Sequence, residues 1–324
     1  MAMSTGNNMN RSQNILVTGA CGFIGRHFVA SLLRDGLKVA AVDTSPVFPE
    51  EWLGSESRGD VQWYQADIGS PDQLAAVFED ARPESIVHLA AFMGHRECKD
   101  NPALCYRSNV SGMHNILDMC TIFNINKLIY SSTTSVYGSA VCPCREENAP
   151  ASPHSLYAQT KRTAELMMQS YCTSLRMHGH VLRMGNVYGP GQKETRVIYR
   201  FTRQIYSDEP LTIRGRLENK RNYLYIDDCV RALKTSFGSC SGFDIFNIGG
   251  NRESSLEEII SILSSLMKKD ALIGNYIDDK DGIENTCIDT TKSSMKLGFT
   301  PLFSIDEGLK EFVDWFKSEC IKGK

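Results

Sequence analysis

The chain is predicted to fold as an α/β protein built on a doubly wound parallel sheet, with a smaller C-terminal domain interleaved with it. Two features of the sequence predict this. Short apolar runs alternate with longer segments of helical period over the first two thirds of the chain, and a glycine-rich turn follows the first run. Strands separated by helices of roughly 10 to 15 residues form βαβ units, whose right-handed crossovers give a parallel sheet covered on both faces.

Each strand is predicted from a short apolar run rich in β-forming residues. The runs are residues 14–18, 37–42, 61–65, 85–89, 127–130 and 180–183. Helical period predicts helices at 28–34, 71–78 and 156–171. Because ligands of such sheets bind at the carboxyl ends of the strands, the residues that follow these runs are the first candidates for a site.

Beyond Gly189 the pattern changes to mixed charges, with a strand-like run at 222–226 and an amphipathic helix at 254–267. We therefore predict a main domain at 13–185 with a return near 221–248, and a mainly substrate-binding domain at 186–324. Residues 1–12 are polar and are predicted to form a flexible tail, without the apolar core of a signal peptide.

Charge balance and cysteine usage exclude several classes of function. The 324 residues carry 35 basic and 38 acidic side chains, so there is no basic excess of the kind that nucleic-acid binding needs. No apolar stretch reaches the ~18 residues of a membrane span. The 11 cysteines are spread over a long chain, which favours reduced thiols and a cytoplasmic protein. Cys142 and Cys144 lack partners at zinc-site spacing, so no metal is predicted.

The glycine-rich turn at 19–25 predicts a dinucleotide site of the Rossmann type. Its glycines permit a tight turn and close approach to a pyrophosphate, and the turn, which contains Phe23 and Ile24, opens the first helix, whose amino-terminal amides bind that anion. Asp43 ends the second strand, where a carboxylate accepts hydrogen bonds from ribose hydroxyls and repels a 2′-phosphate. The predicted cofactor is NAD, bound by Gly19, Gly22, Gly25 and Asp43. The alternative is a structural glycine turn with a surface aspartate.

Tyr157 and Lys161 are four positions apart in a helical stretch, which places both side chains on one face. A free tyrosine has a pKa of about 10. The lysine cation and the positive nicotinamide ring favour the phenolate, so we expect a lowered pKa and a tyrosine that takes a proton from a sugar hydroxyl. Such a pair on a solvated helix is the alternative interpretation.

A hydroxyl-rich run at 130–138 follows the fifth strand and distinguishes these alternatives. It brings Ser131 to the cofactor side of the crevice and Thr133 to the reacting oxygen, whose proton Thr133 is predicted to stabilise or relay. An ordinary turn rich in serine and threonine is the other interpretation.

The glycine turn, Asp43, the run 88–91, the hydroxyl-rich run, the pair Tyr157 and Lys161, and the run 183–190 follow one another along the chain. In this order they resemble the motifs of the extended short-chain dehydrogenase/reductase family, the NAD-dependent sugar-nucleotide epimerases and dehydratases. The resemblance covers roughly residues 14–315. It implies a nucleotide-sugar substrate and a homodimer formed through about 102–121 and 156–171. It also implies further contacts with cofactor, made by Asp67, Ile68, Leu89, Ala90, Ala91 and Asn109. Substrate contacts are implied for Arg96, Asn186 and Arg221.

Thr134 and Ser135 select among the reactions of that family. Members that eliminate water carry Asp-Glu at these positions, and decarboxylating members keep a glutamate at the second, whereas hydroxyls cannot move protons as carboxyls do. The resemblance therefore implies a 4-epimerase acting on a UDP-hexose or UDP-hexuronate through a transient 4-keto sugar. Thr134 and Ser135 are also able to hold a sugar carboxylate.

Two other functions remain open at this stage. A nucleotide-sugar 4-ketoreductase or dehydrogenase would use the same Tyr157 and Lys161, and an NAD-binding regulatory protein would keep the fold without turnover. The nucleotide also stays open among UDP, CDP, GDP and dTDP. The run at 215–217 departs from the Gly-Asp-Gly common in the family, and Asp279 stands where an arginine is expected, so that Lys280, Arg216 or Arg214 would replace it.

Overall fold

The structure is a computed structural model, and it describes residues 13–53, 59–138, 140–148, 153–277 and 287–322. The predicted tail at 1–12 and the pair Asp279 and Lys280 lie outside the described residues. Twelve strands are described: β1 (Asn14–Thr18), β2 (Lys38–Asp43), β3 (Val61–Gln65), β4 (Ser85–His88), β5 (Lys127–Thr133), β6 (His178–Met184), β7 (Asn186–Tyr188), β8 (Leu211–Arg214), β9 (Lys220–Tyr225), β10 (Phe243–Ile248), β11 (Glu253–Ser255) and β12 (Ile273–Ile277).

Ten α-helices are described, and five of them pack on the faces of the main sheet. They are α1 (Phe23–Arg34), α2 (Pro71–Ala81), α3 (His95–Asp100), α4 (Pro102–Tyr106), α5 (Gly112–Ile122), α6 (Leu156–Leu175), α7 (Val197–Tyr206), α8 (Ile226–Ser239), α9 (Leu256–Met267) and α10 (Ile305–Lys322). A π-helical turn at Arg107–Ser111 joins α4 to α5. None of the described helices is long and apolar enough to cross a membrane.

The main sheet has seven parallel strands in the order β10-β6-β5-β4-β1-β2-β3, which confirms the predicted doubly wound sheet. Its central strands β1, β4, β5 and β6 are buried on both faces, whereas the edge strand β3 is only partly buried. Ile15 and Val17 pack with α1 and α8 on one face, whereas Leu16 packs with α2, α5 and α6 on the other. Such two-sided burial explains why the strands read as continuous apolar runs.

The strand order reverses at β1, which lies between β2 and β4. At this switch point the loops leaving β1 and β4 open away from each other and form a crevice at the carboxyl ends of the strands. The glycine turn follows β1 and the hydroxyl-rich run follows β5, so the fold brings both to this edge.

The C-terminal part forms two small sheets, β11-β9-β7 and β12-β8. The predicted strand at 222–226 is β9 in the first of these, so the chain returns to the main sheet only with β10. The predicted helix at 28–34 begins five residues earlier, because Gly22 caps it directly after the turn. The division at 185/186 stays a prediction, and one hydrophobic cluster contains residues from both sides of it, such as Leu32 and Ile259.

Candidate active site

The glycine-rich turn joins β1 to α1 at the carboxyl edge of the main sheet. Gly19 has a φ of +70°, and a Cβ on it would lie 2.6 Å from the main-chain nitrogen of Ala90. A Cβ on Gly25 would overlap the carbonyl oxygen of Gly19. Because only glycine fits at both positions, the main chain of the turn packs closely against the loop after β4 and stays accessible from the crevice.

The first turn of α1 presents main-chain amides beside that turn. Helical hydrogen bonding begins with the amide of Arg26, which donates to the carbonyl of Gly22 at 3.0 Å. The amides of Phe23, Ile24 and Gly25 precede it and have no acceptor within the helix. Since this end of a helix attracts anions, the geometry fits the pyrophosphate of NAD.

Asp43 ends β2 with its carboxylate directed toward the glycine turn. One carboxylate oxygen accepts a hydrogen bond from the amide of Cys21 at 3.0 Å, and the other accepts one from the amide of Ser45 at 3.1 Å. Each oxygen has a second lone pair. The carboxylate is therefore held in one orientation and keeps the capacity to accept hydrogen bonds from ribose hydroxyls.

Asp67 and Ile68 follow β3 at the same edge of the sheet. Asp67 forms an ion pair with Arg107 and accepts a hydrogen bond from the amide of Gly69 at 2.8 Å. Ile68 is buried against Gly112, the first residue of α5. The structure places both residues on the side of the crevice next to Asp43, and their contact with adenine stays a prediction.

Residues 89–91 leave β4 beside Thr18, the last residue of β1. The amide of Leu89 donates to the carbonyl of Thr18 at 3.1 Å, and the amide of Ala90 donates to the Thr18 hydroxyl at 3.3 Å. That hydroxyl lies 2.7 Å from Nδ1 of His88. Burial lowers the pKa of His88 to about 3, with a smaller contribution from the charge of Lys161. The ring is therefore neutral and structural.

Asn109 lies in the π-helical turn and fixes the chain directly after Ala91. Its Oδ1 accepts a hydrogen bond from the amide of Phe92 at 2.7 Å, and its Nδ2 donates to the carbonyl of Phe92 at 3.0 Å. The same Nδ2 lies 3.0 Å from the hydroxyl of Thr160 on α6. Asn109 thus connects the loop after β4, which lines the crevice, to α6, which carries Tyr157. It makes these contacts from the buried side of that loop.

α6 positions the predicted catalytic pair. Its first turn is capped by Ser155, whose hydroxyl accepts a hydrogen bond from the amide of Ala158 at 3.2 Å. Tyr157 and Lys161 then lie one turn apart on one face of the helix. The hydroxyl of Thr133, at the end of β5, acts on Tyr157 and lowers the pKa of its phenol.

The ammonium group of Lys161 is buried and points at the strand below it. Nζ donates to the main-chain oxygen of Ser131 at 2.7 Å and lies 4.5 Å from the ring centroid of Tyr130. Burial lowers the pKa of Lys161 to about 7, although the charge of Glu165 opposes this. Ser131 therefore contributes its main-chain carbonyl to the site, and this carbonyl accepts the hydrogen bond from Lys161.

The chain itself raises the pKa of Tyr157, which corrects the lowered value that the sequence predicts. Burial raises the pKa to about 12, because it penalises the phenolate. The charge of Arg196 and the hydrogen bond with Thr133 lower it only in part. Lys161 directs its ammonium group at Ser131 rather than at the phenol, which explains why its spacing alone was misleading.

Thr134 and Ser135 form the turn that follows Thr133. The hydroxyl of Thr133 accepts a hydrogen bond from the amide of Ser135 at 3.2 Å and donates to the Ser135 hydroxyl, also at 3.2 Å. Thr134 is buried and Ser135 is half-buried. A chain of hydroxyls thus runs from Tyr157 through Thr133 to Ser135.

The three predicted substrate contacts are spread over the C-terminal side of the crevice. Asn186 is exposed at the start of β7, two residues after β6 ends. Arg221 lies on β9, where its Nη1 donates to the carbonyl of Lys220 at 3.1 Å. Arg96 is exposed on α3, and its charge contributes, after burial, to the lowered pKa of Arg200 on α7. Their contacts with substrate stay predictions.

Two side chains near Tyr157 were not predicted. Arg196, directly before α7, is the cation whose charge acts on Tyr157. The ring of His95, at the start of α3, has its centroid 6.0 Å from that of Tyr157. Neither lies in a periodic motif, since His95 is the first residue of the short helix α3 and Arg196 precedes α7, and only proximity in the folded chain reveals them.

A buried ion pair beneath the hydroxyl-rich turn was also not predicted. Arg183 on β6 contacts Glu165 on α6 through two hydrogen bonds, of 3.1 and 2.8 Å, and neither side chain is more than 1% exposed. In the sequence, Arg183 lies within an apolar run and Glu165 within a helical stretch. No spacing connects the two residues. Among the described residues, no group of three or more histidine, cysteine or acidic side chains is placed to hold a metal ion.

Comparison with known proteins agrees with this geometry. Residues 15–249 match the model of the NAD-dependent epimerase/dehydratase family. A UDP-glucuronate 4-epimerase from Thermodesulfobacterium geofontis is 34% identical over 316 residues, covering 95% of this chain and 98% of that protein.

Solved structures with the same fold include complexes with nucleotide sugars. The UDP-glucose 4-epimerase of Thermotoga maritima, solved with UDP-glucose, matches with a TM-score of 0.88 at 31% identity and covers 95% of this chain and 100% of its own. MoeE5, solved with UDP-glucuronic acid and NAD, matches with a TM-score of 0.85 at 28% identity and covers 94% and 99%. The family match over most of the chain, together with the glycine turn, Asp43 and the Tyr157–Thr133 pair, shows that this chain belongs to the NAD-dependent epimerase/dehydratase family.

Proposed function

We propose that the chain is an NAD-dependent epimerase that inverts C4 of a UDP-hexuronate or UDP-hexose, with UDP-glucuronate as the first candidate. The observation that carries the proposal is the hydrogen bond from Lys161 on α6 to Ser131 on β5, which holds Tyr157 at the carboxyl end of β5 beside Thr133. It places a proton acceptor and its hydroxyl partner at the edge of the sheet where the turn at 19–25 opens. Thr134 and Ser135, beside them, carry no carboxyl group for an elimination.

Proton transfer would follow the chain of hydroxyls. Tyr157 accepts the proton of the C4 hydroxyl and returns it after the sugar has turned over in the pocket. Thr133 donates its hydrogen to Ser135 while Tyr157 is neutral, and redirects it to the phenolate when Tyr157 is ionised. Arg196 lowers the cost of that charge. Bound NAD supplies the acceptor and donor of the C4 hydride.

The cofactor contacts are proposed on the geometry of the crevice. Gly19, Gly22, Phe23, Ile24 and Gly25 surround the pyrophosphate, and Asp43 accepts hydrogen bonds from the adenosine ribose. Further contacts are proposed for Asp67, Ile68, Leu89, Ala90, Ala91, Ser131, Tyr157 and Lys161, with Asn109 supporting the wall behind them.

A sugar carboxylate would find both hydrogen-bond donors and a counter-charge in this site. Thr134 and Ser135 offer hydroxyls without repelling it, and Arg196 brings a cation to the Tyr157 hydroxyl. These features favour the uronate over the neutral hexose, in line with the relative named as a UDP-glucuronate 4-epimerase. Arg96, Asn186 and Arg221 are proposed to bind the remainder of the nucleotide sugar.

We also propose that the protein is a homodimer that pairs through about 102–121, which contains α4 and α5, and about 156–171 of α6. Leu104, Tyr106 and Leu166 are large apolar side chains on or beside these helices, and each is more than 40% exposed. Apolar exposure of this kind is typical of an interface. The proposal of a cytoplasmic location rests on the cysteine usage, with all 11 cysteines as free thiols.

The proposed activity is tested by incubating the purified protein, without added NAD, with UDP-glucuronate, UDP-glucose and UDP-N-acetylglucosamine in separate reactions. Proton NMR of the sugar ring should show inversion at C4 with unchanged mass, fastest for UDP-glucuronate. No conversion of any of them, by protein shown to contain NAD, would reject the proposal and favour a ketoreductase that needs added NADH.

A further inference from the structure

Three neighbouring strands place a row of polar side chains beneath the hydroxyl-rich turn. Ser132 on β5 is the register partner of Arg183 on β6, and Arg183 is the register partner of Asn247 on β10. Register partners on parallel strands point to the same face of a sheet. All three are buried on the face that α6 covers.

Glu165 of α6 closes this row from above. Its carboxylate accepts a hydrogen bond from the Ser132 hydroxyl at 2.5 Å, two from the guanidinium of Arg183, and one from Arg162 at 2.8 Å. Glu165 is one turn beyond Lys161 and two beyond Tyr157. Lys161 and Glu165 form hydrogen bonds with two successive residues of β5, Ser131 and Ser132, and the next residue, Thr133, acts on the pKa of Tyr157. The pair Arg183–Glu165 therefore holds the helix in register with the strand.

Tyr137 closes the turn from the other end. Its hydroxyl accepts a hydrogen bond from Nη1 of Arg183 at 2.9 Å and donates one to Oδ1 of Asn247 at 2.7 Å. The amide of Asn247 cannot rotate, because its Nδ2 donates to the carbonyls of Cys144 and Asp289, both at 3.0 Å. The Tyr137 hydroxyl is therefore fixed by two partners that are themselves fixed.

We propose that Tyr137 is a positioning residue for Thr133 and Tyr157: through Arg183 and Asn247 it holds the turn at 134–137, and so it keeps the Thr133 hydroxyl beside Tyr157. Arg183 joins both parts of this contact, because one guanidinium binds Glu165 on the helix and Tyr137 on the turn. The proposal rests on the proposed function for its kinetic consequence, but its structural content does not depend on the substrate.

The effect of Tyr137 should appear in the ionisation of Tyr157. The hydrogen bond with Thr133 lowers the pKa of Tyr157, so a displaced Thr133 should move the rising limb of the pH profile to higher pH. Other groups that face Tyr157 stay unchanged in a Tyr137 variant; these are Lys161 on its own helix, Arg196 before α7, His95 and Cys98 on α3, Cys105 on α4, and Tyr130 on β5.

The kinetic test is a double-mutant cycle of Tyr137→Phe with Thr133→Val. Tyr137→Phe removes one hydroxyl and should lower kcat about tenfold, with KM and NAD content unchanged, since small misplacements of a reacting group are costly. The double variant should be no slower than Thr133→Val alone, because both changes act on one hydrogen bond. If Tyr137→Phe and Thr133→Val instead lower kcat by independent factors that multiply in the double variant, the proposal is overturned.

A second readout needs no substrate. In full-length protein labelled with ¹³C at tyrosine Cζ, the Tyr157 resonance is identified by its loss in Tyr157→Phe. It should shift in the same direction in Tyr137→Phe and in Thr133→Val. Tyr188→Phe is the matched control, since it also removes a buried hydroxyl, one that donates to the carbonyl of Ile305 at 3.4 Å, and it should leave the resonance in place.

The two readouts separate failure of this proposal from failure of the proposed function. If no nucleotide sugar is converted but the Tyr157 resonance shifts as described, the positioning role stands and the assigned reaction falls. If the wild-type protein epimerises a UDP-sugar and the resonance is unmoved in Tyr137→Phe, Tyr137 has only a structural role and the proposal is overturned.

Discussion

The ammonium group of Lys161 donates a hydrogen bond to the main-chain oxygen of Ser131 at 2.7 Å, inside the protein rather than at its surface. The contact joins α6 to β5 directly beneath Tyr157. It also means that the folded chain contains a lysine whose charged form is costly, because burial lowers its pKa to about 7.

Replacing this lysine by methionine should stabilise the protein while it removes activity. An unfolded lysine has a pKa of about 10.4, so between pH ~7 and ~10 the unfolded chain binds the extra proton and wild-type stability rises with pH. Lys161→Met should therefore melt at a higher temperature than the wild-type protein, and this difference should be largest below pH 7 and shrink as the pH approaches 10. Thermal melts at pH 6, 8 and 10 measure it, and kcat should fall about 10²-fold or more. A difference in melting temperature that grows with pH would contradict the lowered pKa of Lys161.

Gly19→Ala should abolish NAD retention because of a collision at the switch point. An added Cβ would lie 2.6 Å from the nitrogen of Ala90 and 2.8 Å from the carbonyl carbon of Leu89. Gly36→Ala is the matched control: Gly36 also has positive φ, of +79°, but a Cβ there meets nothing within 4 Å. Both variants place an alanine in the left-handed backbone region, which lowers the stability of each by about 1–2 kcal/mol.

Bound NAD is measured by the absorbance of the cofactor released from denatured protein. Gly36→Ala should keep wild-type NAD content and Gly19→Ala should lose it. Equal retention by the two variants would mean that the turn after β1 does not hold the dinucleotide.

Asp43→Asn should weaken NAD binding and reduce the preference over NADP. The change removes a charged acceptor, worth about 1.5–3 kcal/mol, which corresponds to roughly a tenfold to hundredfold loss of NAD affinity. It also removes the repulsion of a 2′-phosphate. Calorimetric titration of NAD-depleted protein with each cofactor gives the ratio of affinities, with Asp72→Asn, an exposed residue of α2, as the control. An unchanged ratio would exclude Asp43 from the ribose site.

Arg196→Met should discriminate between uronate and neutral substrates. If Arg196 provides the counter-charge for the sugar carboxylate, kcat/KM for UDP-glucuronate should fall by about tenfold to a hundredfold, and that for UDP-glucose much less. With UDP-glucose the profile should move to higher pH, because the charge of Arg196 lowers the pKa of Tyr157. Arg203→Met, within α7 and with its side chain 52% exposed, is the control. Equal losses on both substrates would remove the specificity role.

The parts of the fold that sequence predicted best are those where periodicity is undisturbed. The run 14–18 is a strand with the same bounds, since a strand buried on both faces shows as an unbroken apolar run. The run 61–65 also has the same bounds, although it is the half-exposed edge strand β3. The spacing of Tyr157 and Lys161 likewise gives one helical face. Asn109 illustrates the limit, because it lies in a π-helical turn whose extra residue breaks the period of 3.6.

Much of the site depends on contacts between segments far apart in the chain. Nothing in the local sequence indicates that Lys161 points to Ser131, or that Arg196 approaches Tyr157. Arg183 and Glu165 are charged residues in positions where exposure or an apolar side chain is the usual expectation. Their burial is possible because each neutralises the other through paired hydrogen bonds, and only the folded chain shows that pairing.

The central claim, inversion at C4 by removal and return of the same hydride, is tested most directly with UDP-glucuronate labelled with deuterium at C4. The protein, without added cofactor, should produce a mixture of the two C4 epimers in which deuterium stays at C4, as read by proton and deuterium NMR. Release of carbon dioxide, loss of the label to solvent, or an absence of the second epimer with NAD-containing protein would contradict the claim.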